Sequence, residues 1–519
     1  MPTTDALFRL IQSMNKAEKR QFKIDCRPDR TSEEAALFVQ LFNLLDKMQE
    51  YDEELILKKA PDIKRSQLPN LKRHLYRQIL STLRALQGSR NADMAIREQT
   101  DFAKVLYNKG LYQQSLRILE KAEEAARQSG YNILLLEILE FEKMIELRHI
   151  TRSMGNRADQ LTEASGKVSQ IAQTGERLSA LALRLYGMYI KTGHIKTEQE
   201  AYMLHAFFRV HLPVTNFQQL GFYEKVSYCQ CYMWYYYILQ NFVQYYRYAQ
   251  KWVNLYENRP DLIPTDPDLY LRALHNVLTA HFFNARYDRF CSVLHTMETC
   301  LDDISENYNV HTEVQAFIYL YTAKVNRHFM EGSFSEGRVL VEEIEARIQR
   351  FGDYLDRHRI LILYYKIACL YFGSGDMGRA IEYLNRIIHL QVGNLREDIQ
   401  CYARILHLIA HYELRHYDLL EYLVLSVYRF LAKMEDLNAV QKEILKFLKQ
   451  ELHSNPENLL RAFRQLHARL LKLKELPYER RSFLYLDIIS WLEAKISGAS
   501  CTEVVIREKF KKTRVRHKE

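Results

Sequence analysis

Turn-forming residues are scarce in this chain: 10 prolines and 17 glycines in 519 residues, about 2% and 3% against usual contents near 5% and 7%. That excludes an all-β fold, in which every short strand needs its own turn chemistry. No stretch reaches ~18 uninterrupted apolar residues, so no membrane span is expected. The opening MPTTDALFRLIQSMNKAEKR has no apolar run of signal-peptide length. The eight cysteines form no CxxC pair and no disulfide framework. Only Cys229 and Cys231 stand close, and no second Cys/His pair completes a metal site. Reduced, buried thiols and a cytoplasmic location are expected. Walker A, HExxH and GxSxG sequences are absent, and no nucleophile, base and oxyanion set can be assembled. A non-enzyme without metal, cofactor or catalytic residues follows as the expectation.

What is present is apolar and helical. Hydrophobic content of 47% and charged content of 26% argue against long disorder. The net charge of +9, from 73 Lys+Arg and 64 Asp+Glu, is a mild excess on so long a chain. This length would make several ordinary domains, unless the core grows by stacking repeats.

Repeats are the strongest signal. FAKVLYNKGLYQQSLRILEKA (102–122), KVNRHFMEGSFSEGRVLVEEI (324–344), IACLYFGSGDMGRAIEYLNRI (367–387) and LIAHYELRHYDLLEYLVLSV (408–427) share one pattern. Each has an apolar helix, a short turn and a second amphipathic helix, with an aromatic two residues after the turn in three of the four. Their turns fall at Gly110, Gly332, Gly375 and Arg415, with weaker copies near Gly155, Gly193, Gln240 and Ala285. The successive intervals are 45, 38, 47, 45, 47, 43 and 40 residues. A glycine two residues before an aromatic lets the chain reverse while the ring plugs the hairpin's open end. One hairpin cannot cover its own apolar face, so neighbours must stack.

This pattern resembles the tetratricopeptide repeat over about residues 98–436. Ala103 and Ala368 match that family's small residue in the first helix. Gly110, Gly332 and Gly375 match its turn glycine, and Tyr112, Phe242, Tyr287, Phe334 and Tyr417 its turn aromatic. Ser115, Gly337 and Ala380 match the small residue opening the second helix. The period exceeds the standard ~34 residues, and the terminal proline is mostly missing. The resemblance implies an all-α, helical-hairpin solenoid of about eight hairpins. Residues 1–90 read as a separate N-terminal helical module, with a capping-box start at Asn15 and Glu18 and breaks at Pro28, Pro61 and Pro69. This leader resembles that of certain uncharacterised bacterial repeat proteins. Residues 437–500 read as a C-terminal helical cap, and 501–519 as a disordered basic tail.

In tetratricopeptide repeats the concave face is built from first helices. Projecting the repeat phase places Trp234, Tyr237, Arg272, His275, Thr279, Asn326 and Tyr365 near that groove. Asn326 occupies the position of a clamp asparagine in carboxylate-binding relatives, but Thr322 stands where the accompanying lysine belongs. Of the 35 tyrosines, the cluster at 228–237 is expected mainly to pack hairpins together. Gly373–Gly378 matches GxGxxG formally, yet a helix precedes it where a dinucleotide site requires a strand. His407 and His411, four apart, could share a helix face, although no HExxH glutamate lies between them.

The sharpest charge feature is acid-free: Ile63–Ala92 contains Lys64, Arg65, Lys72, Arg73, Arg77, Arg84 and Arg90 but no Asp or Glu. Lys72, Arg73, Arg77 and Arg84 are the candidate phosphate contacts of a nucleic-acid-binding alternative. A solvated stripe, or one paired with EYDEEL at 50–55, is the plainer expectation. The favoured function is a cytoplasmic scaffold or adaptor that holds a protein partner's peptide or helical segment in a concave groove.

Overall fold

The computed structural model describes residues 6–26, 33–88, 91–149, 156–304, 309–390, 393, 395–434, 438–450, 456–480, 482–485 and 487–516. Every regular element among them is helical, as the shortage of turn formers requires. The chain divides into two units, residues 1–170 and 171–519. That division falls inside the stretch expected to form one array.

The first unit opens with α1 (Ala6–Ser13), α2 (Lys16–Asp25), α3 (Glu33–Lys47), α4 (Glu53–Lys59) and α5 (Leu68–Gly88). Asn15 caps α2 through the reciprocal bonds with Glu18 that the sequence pattern requires. These helices close a core of their own around Ile11, Phe22, Phe42, Leu45 and Leu75. Pro28 and Arg90 lie outside the described residues. A second core, including Ala103, Leu119, Ala122 and Leu139, is enclosed by α6 (Ala92–Asn108), α7 (Tyr112–Ser129), α8 (Asn132–His149) and the start of α9 (Arg157–Thr192). Ser115 Oγ donates to the Ala103 carbonyl at 2.8 Å, so two small side chains let α6 and α7 approach closely.

The 36-residue α9 departs from the expected pattern. It runs unbroken between the expected turns near Gly155, which lies outside the described residues, and Gly193. One helix thus spans the stretch between the two expected turns, with no proline to interrupt it. The second unit continues with α10 (Glu198–His211), then pairs α11 (Phe222–Ile238) with α12 (Phe242–Glu257) and α13 (Pro267–Phe283) with α14 (Tyr287–Ile304). Next, α15 (Val310–Glu331) pairs with a second helix split into α16 (Phe334–Gly337) and α17 (Leu340–Arg350). α18 (Arg357–Gly373) and α19 (Met377–His389), then α20 (Glu397–Glu413) and α21 (Tyr417–Lys433), complete the pairs.

The seven turn positions among the described residues (Gly110, Gly193, Gln240, Ala285, Gly332, Gly375 and Arg415) all have left-handed backbone, with φ from 53° to 89°. Three are not glycine, a cost on the order of 1–3 kcal/mol each that packing around the turn must offset. The turn aromatics join one pair to the next. Phe242 stacks on Phe283 at the end of α13, 4.4 Å between ring centroids. Tyr287 donates to Glu331 at the end of α15, at 2.5 Å. Phe334 packs so tightly on Gly373 that a Cβ there would lie 2.3 Å from its ring. The GxGxxG match is therefore a hairpin end that leaves room for a ring.

α22 (Ala439–Gln450), α23 (Pro456–Lys474), α24 (Ser482–Tyr485) and α25 (Ile488–Ser497) follow. Trp491 Nε1 donates to Glu413 of α20 at 2.7 Å, and Tyr402 OH donates to Ser482 at 2.9 Å. The expected disordered tail is instead a helix over most of its length, α26 (Thr502–Arg516). It lies along the turns of earlier pairs. Arg507 donates to the Gly332 carbonyl at 3.1 Å and to Glu336 at 2.8 Å. Glu503 accepts from Ser335 N at 3.0 Å. Phe510 meets Tyr287 edge-on at 4.8 Å, and Arg514 pairs with Asp288 at 2.8 Å. Composition suggested a solvated tail because these anchors lie far upstream in the sequence.

Candidate binding face of the second unit

In the second unit, side chains of α9 meet α11, those of α13 meet α15, and those of α15 meet α18. Tyr186 and Tyr189 of α9 pack on Trp234, with ring centroids 4.8 and 5.5 Å apart. Arg272 Nε donates to Tyr319 OH at 3.4 Å, and the Tyr319 ring stacks on His275 at 4.4 Å. Arg359 donates to Gln315 at 2.8 Å and pairs with Asp356 at 3.2 Å. Lys366 donates to Asn326 Oδ1 at 2.5 Å. The lysine absent at position 322 thus has a counterpart one helix pair later in the chain.

The face is partly closed by its own chain. The Arg396 amide donates to the Ile190 carbonyl at 3.1 Å, joining the segment before α20 to the end of α9. The Arg396 guanidinium lies 4.9 Å above the Tyr189 ring and forms a buried pair with Asp398 at 2.9 Å. At Gly193 a Cβ would lie 2.7 Å from Asp398 Oδ2. Glycine here serves both the left-handed turn and this close approach.

Of the seven expected groove residues, Tyr237, Asn326 and Tyr365 are only 9%, 5% and 6% exposed, too little for direct partner contact. Tyr237 packs on Tyr189 and Tyr245. Trp234, His275 and Thr279 are half-buried, and Arg272 is exposed. Partial desolvation opposes the Arg272 charge, while Tyr319, Tyr186 and Asp268 favour it, and the net shift is upward. The sequence reading did not single out Lys366, Arg359 or Tyr319, because their significance depends on which groups lie opposite.

Positive charge predominates around His275. Burial, then the positive charges of Arg359, Lys366 and Arg272, lower His275 to about 3, so its imidazole is neutral near pH 7. Burial alone brings the Lys366 ammonium down to about 8. The Cys369 thiol nearby is pushed up to about 12 by burial and supplies no negative charge.

Elsewhere the candidate chemistry dissolves into packing. Cys229 and Cys231 are buried, with thiols pushed up to about 12 by desolvation. His407, His411 and His416 form a hydrogen-bonded chain, with N···N distances of 3.2 and 2.9 Å. Among the described residues no group of three or more His, Cys, Asp or Glu side chains is placed to hold a metal. A surface pocket beside Tyr270, His295 and Thr299 also contains Cys300, whose thiol burial pushes up to about 11, so it holds no activated nucleophile. In the N-terminal stripe, Lys72 pairs with Glu53 of the EYDEEL segment at 2.9 Å and Arg84 lies 3.6 Å from Asp101. Arg73 and Arg77 remain exposed on α5. No helix among the described residues is long and apolar enough to cross a membrane.

No family model matches the chain, and no curated protein or solved structure is detectably similar to it.

Proposed function

We propose that the helix pairs form a tetratricopeptide-like solenoid, and that the protein is a non-catalytic scaffold whose inner face in the second unit holds a segment of a partner protein. The observation that carries this reading is the convergence of Trp234, Arg272, His275 and Thr279 with Lys366 on one face. Apolar ring area beside fixed polar groups is the composition of a recognition surface. Burial of Tyr237, Asn326 and Tyr365 leaves a narrow strip, which favours an extended segment over a helix. A cytoplasmic setting fits the eight unpaired cysteines.

Affinity capture from the native cell, followed by titration of the purified partner, tests the reading. Replacing Arg272 by Glu together with Trp234 by Ala should weaken that titration at least tenfold while helicity and melting temperature hold. Undiminished affinity in a folded double variant would refute the inner-face assignment.

A further inference from the structure

A cavity of about 550 Å³ opens in the second unit between residues 260–264, the start of α13 and the C-terminal half of α14. That volume lies within the ~300–1,000 Å³ usual for small-molecule sites. Pro260, Ile263, Pro264 and the Tyr270 ring supply an apolar wall. Opposite them stand Thr296, Thr299, Cys300 and Asp303, with His295 at the exposed rim. Their spacing of three and four residues puts these four on one face of α14.

That face is rich in acceptors. The Thr296 and Thr299 hydroxyls donate to the carbonyls of Ser292 and His295, at 3.2 and 3.0 Å, so they keep only lone pairs to offer a ligand. Asp303 is exposed, and among the described residues no cation pairs with it. Fixed charge here has one sign. Neither 260–271 nor 290–323 contains a lysine or arginine, although the whole chain carries +9. Arg259, beside the apolar wall, is held by Asp261 at 2.7 Å. Glu257 acts on the Tyr270 phenol and Asp303 on the Cys300 thiol, and among the described residues no positive group acts on either.

A ligand suited to this place brings donors and positive charge on an apolar body. We propose that, apart from the inner face, this cavity binds a small amphipathic ammonium ion. Its N–H groups donate to Thr299 Oγ1 and the Asp303 carboxylate, and its apolar part lies against Ile263 and the Tyr270 ring. Ammonium–carboxylate bonds are charge-assisted and short, and the ring face adds attraction for a cation.

Calorimetric titration of the full chain with phenethylamine at neutral pH and low salt tests this. Phenethyl alcohol, hydrocinnamate and trilysine serve as parallel ligands. One saturable site is expected for the amine, at least tenfold weaker binding for the alcohol, and none for hydrocinnamate. Bound amine should also slow iodoacetamide labelling of Cys300, read by mass spectrometry against Cys501, which does not line the cavity. Asp303→Asn should lower amine affinity at least fivefold, and Thr299→Val should lower it with the charge retained. Both positions are exposed, so the fold should hold. Absence of saturable amine binding would overturn the proposal. So would hydrocinnamate bound equally well, undiminished affinity in Asp303→Asn, or unchanged labelling of Cys300. Trilysine bound in place of phenethylamine would overturn the small-ligand assignment in favour of a basic peptide.

Discussion

Gly332 holds the C-terminal helix in place, and a single methyl group there tests how α26 docks. The residue ends α15 with φ of 68°, and its carbonyl accepts from Arg507 at 3.1 Å. A Cβ at this position would lie 2.4 Å from Arg507 N and 2.9 Å from its Cα. Those are backbone atoms and cannot swing aside as a side chain would, so α26 must move. Gly332→Ala therefore carries two separable costs. Left-handed backbone for an L-residue costs about 1–2 kcal/mol. Displacing α26 loosens the half-exposed Arg507–Glu336 pair, worth about 0–1 kcal/mol. It also strains the Glu503–Ser335 contact, worth about 1 kcal/mol.

The sum is about 3 kcal/mol, of which the displacement part, about 1–2 kcal/mol or roughly tenfold in the undocking of α26, is what hydrogen exchange of residues 502–516 reads. Asparagine tolerates the left-handed region but carries the same Cβ. Gly332→Asn should therefore retain the displacement cost and lose most of the backbone cost. In a chain ending at Ser500 the clash has no partner, and alanine should cost only about 1–2 kcal/mol. Equal costs of alanine in the full and shortened chains would refute the docking, as would unprotected amides at 502–516 in the unsubstituted protein.

Three further outcomes follow from particular groups. Burial pushes the Glu142 carboxyl up to about 7, against the pull of Arg157 at 2.5 Å. An acid whose folded value lies above its unfolded one loses stability as pH rises between them. The first unit should lose on the order of 2–3 kcal/mol from pH ~4.5 to ~7, and Glu142→Gln should flatten that slope in urea titrations. Burial lowers His407 to about 4, with His411 adding repulsion, so its contribution is lost as pH falls from ~6.5 toward ~4. Once the intrinsic pH dependence of exchange is divided out, amides of α20 and α21 should be less protected at pH ~4.5 than at ~7, and the difference should be smaller in His407→Gln. The purified protein should carry no nucleic acid. A raised 260/280 nm absorbance ratio that falls with salt and with Arg73→Glu plus Arg77→Glu would move the function to α5.

The reversals were legible in sequence because each needs a left-handed residue and five are followed two residues on by an aromatic, and glycine marks three of the strongest. Gln240, Ala285 and Arg415 carry no such mark; they were found through the spacing of their neighbours. The run of α9 through Gly166 and Gly175 was not legible. Glycine weakens a helix by only about 1 kcal/mol, and tertiary contact can exceed that. Gly175 is one such contact: a Cβ there would meet the Glu224 side chain at 2.8 Å. Helical phase carries no information on the depth at which Tyr237, Asn326 and Tyr365 lie. Depth depends on what lies opposite, and the Ile190–Arg396 junction joins residues about two hundred positions apart. The same limit hid Lys366, which meets the Phe282 and Phe329 rings and Asn326 from other helices.

Depth also decides what the inner face can hold. Tyr232 and Tyr248 stack at 4.5 Å and Phe208 on Tyr235 at 4.0 Å, so the tyrosine-rich stretch of α11 is largely consumed in joining α10, α11 and α12. Rings committed to such contacts cannot turn toward a partner without opening them. The side chains left available are Arg272, Lys366 and the edges of Trp234 and His275, a set with more charge than apolar area. Affinity at such a strip comes from charge met in a poorly solvated place, where each interaction is stronger than at an open surface. Binding there should therefore fall less steeply with added salt than contacts made by Arg73 and Arg77 on the exposed face of α5. A salt dependence as steep for a partner segment that requires Arg272 would mean that this face is as open to bulk water as α5, and the argument from depth would fail with it.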